Sequence, residues 1–298
     1  MKVLVTGGSG FVGSHVADAL SEAGHDVTVF DLRPSPFLRD GQTMAVGDIL
    51  DEAAVAAAVR GQEAVLHFAG MADLDDARSR ASESVRLNIL GTTYLLDACR
   101  DAGVTRFAHA STIYVYSERG GFYRCSKQAA ELYVEEFQRR YGLDFTILRF
   151  GTLYGPRADE RNSVFRLLRQ ALAERRIQCD GTGEEMRDYV NVRDAARLTV
   201  QILDPAFRNQ HVIITGPYPL RYRQLVDMIA EIMGGNVAVS FDNADRPAHY
   251  KLTPVTFAPK IGYKLTSHLY LDMAQGLLEC LHEMHAAHAA PEDRHGQK

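Results

Sequence analysis

Residues 2–13 read KVLVTGGSGFVG, and this stretch decides the fold. KVLVTG (2–7) is a short apolar run ending in glycine, the pattern of a buried strand. From Val12 the apolar residues fall at helical spacing (Val12, Val16, Ala19, Leu20), and Gly24 supplies a stop. Between strand and helix lies TGGSGFVG (6–13), with Gly8-x-Gly10-x-x-Gly13 and Gly7-x-x-Gly10-x-x-Gly13 both present. Glycines there allow a tight turn and let the backbone approach a pyrophosphate, which the helix N-terminus then meets with unpaired N–H groups. A glycine pattern alone is weak evidence. Here the second strand, DVTVFD (26–31), ends in Asp31, 18 residues past Gly13, where a carboxylate can accept hydrogen bonds from an adenosine ribose. That favours NAD over NADP, although Arg33 two residues on could weaken the preference.

The alternation continues outward. TMAVGD (43–48), EAVLHFAG (63–70), RFAHAS (106–111) and DFTILRF (144–150) read as strands. Helices are expected over 51–60, 82–102 and 123–140 between them. Strands separated by helices give an α/β fold, a parallel sheet covered on both faces. After Gly155–Pro156 the pattern loosens. Helices are expected at 161–175, 192–203, 221–233 and 266–285, with strand-like HVIIT (211–215) and NVAVS (236–240). A smaller, loop-rich domain is expected there, and the polar tail 289–298 is expected to fray.

Bulk composition excludes several classes. The 298 residues are 46% hydrophobic and 24% charged, the balance of a globular protein with room for one or two domains. A net charge of −5 offers no basic field for nucleic acid. No apolar run approaches the roughly 20 residues that span a bilayer, and MKVLVTGG is too short an apolar opening for a signal peptide. Cys99, Cys125, Cys179 and Cys280 are scattered and read as reduced thiols. A cytoplasmic location is expected. His282, His285 and His288 read as solvated helix residues and not as a metal site; no metal is expected.

GFYRCSK (121–127) places Tyr123 one helical turn before Lys127. Tyrosine and lysine meet at that spacing by chance in many helices. The glycine loop, Asp31 and Thr112 upstream give the pair its weight. A free tyrosine, with a pKa about 10, is a poor base at neutral pH, and a nearby ammonium is expected to favour its phenolate.

Together these pieces resemble the extended short-chain dehydrogenase/reductases, and within them the nucleotide-sugar epimerase/dehydratase group, over nearly the whole chain. TGGSGFVG is similar to their dinucleotide loop, VGDILD (46–51) to their adenine-contacting segment and HFAG (67–70) to the strand end lining the cofactor. NILGT (88–92) resembles the helix whose asparagine braces the site, STIYVYS (111–117) the strand with the catalytic Ser/Thr, and YRCSK (123–127) the Tyr-x-x-x-Lys motif. LRFGTLYGPR (148–157) resembles their LRxxNxYGP motif, and GTGEEMRDYVNVRDAA (181–196) the segment that closes over substrate.

The resemblance implies a Rossmann-type doubly wound parallel sheet with a smaller α/β C-terminal substrate domain. Residues 1–154 plus about 188–215 would bind NAD, and about 155–187 plus 216–285 would bind substrate. It implies cofactor contacts from Gly7, Gly10, Phe11, Val12, Gly13, Asp31, Leu32, Arg33, Asp48, Ile49, Phe68, Ala69, Gly70, Asn88, Tyr123 and Lys127. Tyr123 would take a proton from a sugar hydroxyl, Lys127 would hold the nicotinamide ribose, and Thr112 would hydrogen-bond the same sugar oxygen, with Ser111 the neighbouring alternative. Thr152, Arg187 and Arg246 would face a nucleotide-diphosphate sugar.

Three departures bear on the reaction. Thr152 stands where relatives carry asparagine. Ile113-Tyr114 follow Thr112 where 4,6-dehydratases of the thymidine-sugar type place Asp-Glu, which argues against dehydration. The loop between Tyr116 and Tyr123 is largely missing. The expected activity is therefore NAD-dependent epimerisation, most readily at C4 through a transient 4-keto sugar. Alternatives are a dehydratase, a reductase or dehydrogenase on the same scaffold, or an NAD-sensing protein without catalysis. The resemblance also implies a homodimer paired through helices 82–102 and 123–140, with Leu95, Leu96, Leu132, Val134 and Phe137 as candidate contacts that could instead pack on the sheet.

Overall fold

A computed structural model describes residues 1–72 and 79–242. Strands β1 (Lys2–Thr6), β2 (Asp26–Asp31), β3 (Thr43–Val46), β4 (Ala64–His67), β5 (Arg106–Thr112), β6 (Asp144–Phe150) and β11 (Gln210–Ile214) form one seven-stranded sheet in the order β11-β6-β5-β4-β1-β2-β3. Every neighbouring pair in it is parallel. A parallel sheet needs crossovers, and helices fill them: α1 (Phe11–Glu22), α2 (Glu52–Val59), α3 (Gly91–Ala102), α4 (Gly121–Tyr141) and α6 (Val192–Gln201).

The alternation inside β1 shows why both faces are covered. Val3 and Val5 join one core with Val16, Leu20, Ala195 and Ile214. Leu4 joins the other with Leu95, Leu96, Val134, Phe137 and Ile147. Successive strand side chains point to opposite faces, so a continuous apolar run belongs to a sheet buried on both sides. The strand order reverses between β1 and β4, and in open parallel sheets the crevice beyond the carboxyl ends at such a reversal is where ligands bind. The glycine loop sits there.

Beyond β6 the elements are short. β7 (Thr152–Tyr154) pairs with β10 (Tyr189–Asn191), β9 (Met186–Arg187) with β12 (Leu220–Arg221), and β8 (Arg176–Cys179) with β13 (Ala238–Phe241). Helices α5 (Ser163–Glu174) and α7 (Tyr222–Ile232) enclose a small core of Leu167, Ala171, Ile177, Val226 and Ile229.

The expected helix over 82–102 is not uniform. Ala81–Ser84 is one α-turn, Val85–Leu90 is π-helical, and α3 follows. Four of the five candidate dimer residues belong to the sheet core: Leu95 and Leu96 are fully buried, and Val134 and Phe137 nearly so, whereas Leu132 is 63% exposed. The sheet face uses the apolar stripe of both helices first. No helix of the described residues is long and apolar enough to cross a membrane. Arg246, Cys280, the expected helix 266–285, His282, His285, His288 and the tail lie outside the described residues.

Candidate functional site

The glycine loop is fixed by close backbone approach. The Gly7 N–H donates to the Phe30 carbonyl at 2.8 Å, and the Gly10 N–H to the Gly7 carbonyl at 3.1 Å. Gly7 has φ +70°, and a Cβ on it would lie 2.6 Å from the Ala69 nitrogen. A Cβ on Gly13 would lie 2.3 Å from the Gly7 carbonyl oxygen. Only hydrogen fits at either position. The loop therefore lies flat between β1 and the HFAG segment, whose Phe68 and Ala69 are half-buried beside it and whose Gly70 is exposed.

Helix α1 begins at Phe11, and its N-cap, Gly10, offers no side-chain cap. The first-turn N–H groups of Phe11, Val12 and Gly13 are thus left for an anion. Asp31 accepts the Ser9 N–H on Oδ2 at 3.0 Å and the Arg33 N–H on Oδ1 at 3.4 Å, which holds its carboxylate beside the loop. Leu32 and Arg33 are exposed next to it. Asp48 is exposed and accepts the Leu50 N–H at 2.9 Å, while Ile49 is buried against Gly91. This cradle of hydrogen-only positions, free helix N–H groups and an aligned carboxylate fits a dinucleotide pyrophosphate and adenosine ribose.

The reactive end is assembled from β5 and α4. Thr112 ends β5, and its hydroxyl accepts the Tyr114 N–H at 3.3 Å, capping the 3₁₀ turn Ile113–Tyr116. Tyr123, in the first turn of α4, packs with Met71 and Leu87 and hydrogen-bonds Thr112. Burial pushes the Tyr123 phenol up to about 12, and the Thr112 hydrogen bond opposes this in part. Desolvation is the larger effect on the phenol, and the Lys127 ammonium, one helical turn on, points to the Ala110 carbonyl at 2.9 Å. Burial in turn lowers Lys127 to about 8, with Glu131 resisting that shift.

Asn88 lies in the π-helical stretch and is 1% exposed. Its side chain accepts the Met71 N–H at 2.7 Å and donates to the Met71 carbonyl at 3.0 Å and to Ser126 Oγ at 2.9 Å. The π register turns this amide inward, tying the end of β4 to α4. π-bulges frequently mark functional positions.

Ser111 has a different partner from Thr112. Its hydroxyl donates to Glu131 Oε1 at 2.5 Å. Glu131 also receives Arg149 through Nε at 3.0 Å and Nη2 at 2.6 Å, and Arg149 reaches the Tyr116 hydroxyl at 2.6 Å. Reading the sequence missed this cluster. Its signal was present: Glu131 continues the four-residue spacing of Tyr123 and Lys127 down one helix face. Two histidines lie on the same side of the sheet. His67 is held between Thr6 at 2.7 Å and Thr92 at 2.9 Å, and burial followed by Lys127 lowers it to about 3. His109 is fully buried 5.4 Å from it, and both its ring nitrogens lack a protein partner.

The short connection before Tyr123 closes through Gly120. It has φ +97°, and a Cβ there would lie 2.9 Å from the Tyr114 ring. Arg124 donates to the Ser117 carbonyl at 2.9 Å and Gln128 to the Val115 carbonyl at 2.8 Å, pinning the turn to α4. On the remaining side, Thr152 is half-buried at the start of β7, its N–H donating to the Asp188 carbonyl at 2.9 Å. Arg187 is half-buried in β9, with Nη1 donating to the Met186 carbonyl at 2.8 Å.

Comparison with known proteins agrees with this geometry. The family model described as NAD dependent epimerase/dehydratase matches residues 3–215. The chain is 30% identical to a dTDP-glucose 4,6-dehydratase of Streptomyces antibioticus, over 93% of this chain and 90% of the relative. It is similar in structure to a UDP-glucose 4-epimerase of Thermotoga maritima solved with UDP-glucose, at TM-score 0.80 and 28% identity, covering 86% of this chain and 90% of that one. A UDP-glucose 4-epimerase of Thermus thermophilus, solved with NAD, matches at TM-score 0.77 and 27% identity, covering 88% and 95%. With the glycine cradle, the Thr112–Tyr123 hydrogen bond and Lys127 in place, this chain belongs to the NAD-dependent epimerase/dehydratase family.

Proposed function

We propose that the protein epimerises a nucleotide-diphosphate sugar at C4. The observation that carries this is that Thr112 and Tyr123 flank a turn, Ile113–Tyr116, that has no carboxylate. A 4,6-dehydratase needs a carboxyl acid and base to remove water as well as a hydride relay. Glu131, the carboxylate nearest along α4, is committed to Ser111 and Arg149.

NAD, bound along the glycine cradle, supplies the hydride acceptor and later the hydride donor. The chain's own residues do the rest. Thr112 hydrogen-bonds the C4 oxygen and orients it. Tyr123, once its own phenol proton has been released to solvent, takes the hydroxyl proton on Oη as C4 becomes a ketone. After the 4-keto sugar turns over in the pocket, Tyr123 returns the proton. Lys127 lends positive charge to the phenolate and holds the nicotinamide ribose. Asp31 accepts from the adenosine ribose, and Asn88 holds the β4 exit against α4. Arg187, Thr152 and Arg246 contact the diphosphate and sugar. In the same proposal, residues 155–187 and 216–285 make the sugar side, and the exposed Leu132 belongs to a dimer face.

Incubation with UDP-glucose, UDP-glucuronate and UDP-N-acetylglucosamine, without added NAD, tests the reaction. Formation of the C4 epimer without net NADH is the expected outcome. A 4-keto-6-deoxy product would place the protein with the dehydratases, and steady consumption of added NAD(P)H with the reductases.

A further inference from the structure

Tyr123, Lys127 and Glu131 follow one another at four-residue intervals along α4. The third member has no part in the proton transfer described above, yet it is 5% exposed and carries a charge. A buried carboxylate is costly unless paired and hydrogen-bonded. Glu131 meets that condition in full. Arg149 holds it through two nitrogens from β6, Ser111 donates to it from β5, and Arg149 is itself anchored by the Tyr116 hydroxyl and stacked on the Tyr116 ring, 4.7 Å from its centroid.

Lys127 lies one helical turn above this carboxylate. The other groups facing it give little support to its charge. On β5, Ala110 offers a single carbonyl and His109 is neutral; on β4, His67 is neutral too. On α4 itself, Tyr123 is a neutral phenol. Among these groups Glu131 is the one carboxylate, one helical turn along α4 from Lys127. We propose that Glu131 is a positioning residue that keeps Lys127 protonated, with Arg149 and Ser111 holding its carboxylate in place. The opposing directions at Lys127, burial downward and Glu131 upward, agree with this.

The inference rests on the reading of Lys127 as the cation that supports Tyr123. A carboxylate one turn away in a low-dielectric layer is worth roughly one pH unit or more to a buried ammonium. The test is the ¹⁵Nζ titration of Lys127 by NMR, its signal assigned with Lys127→Met, in wild type, Glu131→Gln and Glu131→Asp. The expected result is a midpoint lower by about one unit or more in Glu131→Gln and restored in Glu131→Asp. The alkaline limb of kcat/KM should move down by a similar interval in Glu131→Gln. If Glu131→Gln leaves Arg149 too unbalanced to fold, Glu131→Gln/Arg149→Gln is compared with Arg149→Gln alone, so that only the Glu131 charge differs, and the midpoint should be lower in the double variant. An unmoved midpoint in a folded variant overturns the proposal, as does a purely proportional loss of activity with no change in the pH profile. Full turnover in Tyr123→Phe would instead remove the catalytic reading, and the Lys127 midpoint would still report on Glu131.

Discussion

The two sides of the site are built by different physics. On the cofactor side, backbone meets backbone. Gly7 against Ala69 and Gly13 against Gly7 leave no volume for a methyl group, and their positions are set by a seven-stranded parallel sheet. On the side proposed to take the sugar, two- to four-residue strands and a pinned turn hold side chains such as Thr152, Arg187 and Tyr114. The first side specifies one ligand class by shape. In the proposed function the second tunes which sugar fits, through side chains that can change without disturbing the sheet. A shared scaffold with NAD at one end and different sugar chemistries at the other is what such a division permits.

The comparison can be broken at four places. The largest effect should come from Tyr123→Phe, which removes the proton carrier and leaves the cradle whole. The expected loss in kcat is about 10²–10⁴-fold, with NAD affinity by calorimetry changed far less than the rate. Gly13→Ala should do the opposite. Its Cβ meets a backbone oxygen at 2.3 Å, so the loop must shift and NAD affinity should fall at least about tenfold, or about 1.4 kcal/mol. If Gly13→Ala binds NAD normally, close approach does not define that side.

Lys127→Met sharpens the boundary between the two. The buried ammonium titrates at about 8 when folded, against an ordinary 10.5. Folding therefore costs free energy below about pH 8, and the cost fades as pH rises toward 10.5. The variant should be more stable than wild type by about 1–3 kcal/mol at pH 7, after the lost Ala110 hydrogen bond is subtracted. The difference should shrink between pH 8 and 10.5, measured by urea unfolding. A stability gap that widens with pH would contradict the sign. The smallest effect belongs to Thr152→Asn, which should change KM and the ranking of sugars only a few-fold, roughly 1 kcal/mol or less, without altering NAD affinity.

Legibility in the sequence follows the same division. The strands and helices of the sheet half stood out because burial on both faces forces continuous β-branched runs, as in KVLVT and DVTVF, and crossovers force amphipathic helices. The glycine loop was readable because close approach tolerates no other residue. The sugar half was not readable at the same level: Met186–Arg187 and Leu220–Arg221 are too short for any periodicity to form. The π-helical Val85–Leu90 left no mark either, since its apolar residues fit an ordinary helix and only the inward turn of Asn88 reveals the register. For four of the five candidate dimer residues the sheet-packing alternative is the one found, because an apolar stripe does not say whether it meets a sheet or a partner. The neutral, buried Tyr123 is a tertiary effect. Spacing to Lys127 predicts attraction between the charges and carries no information on desolvation.

The most direct measurement follows deuterium at C4. A nucleotide sugar carrying deuterium there, incubated with the purified protein in ordinary water without added cofactor, should yield the C4 epimer with the label retained at C4. Deuterium recovered on C6 of a 4-keto-6-deoxy sugar, or accumulated as deuterated NADH, would contradict epimerisation through Thr112 and Tyr123.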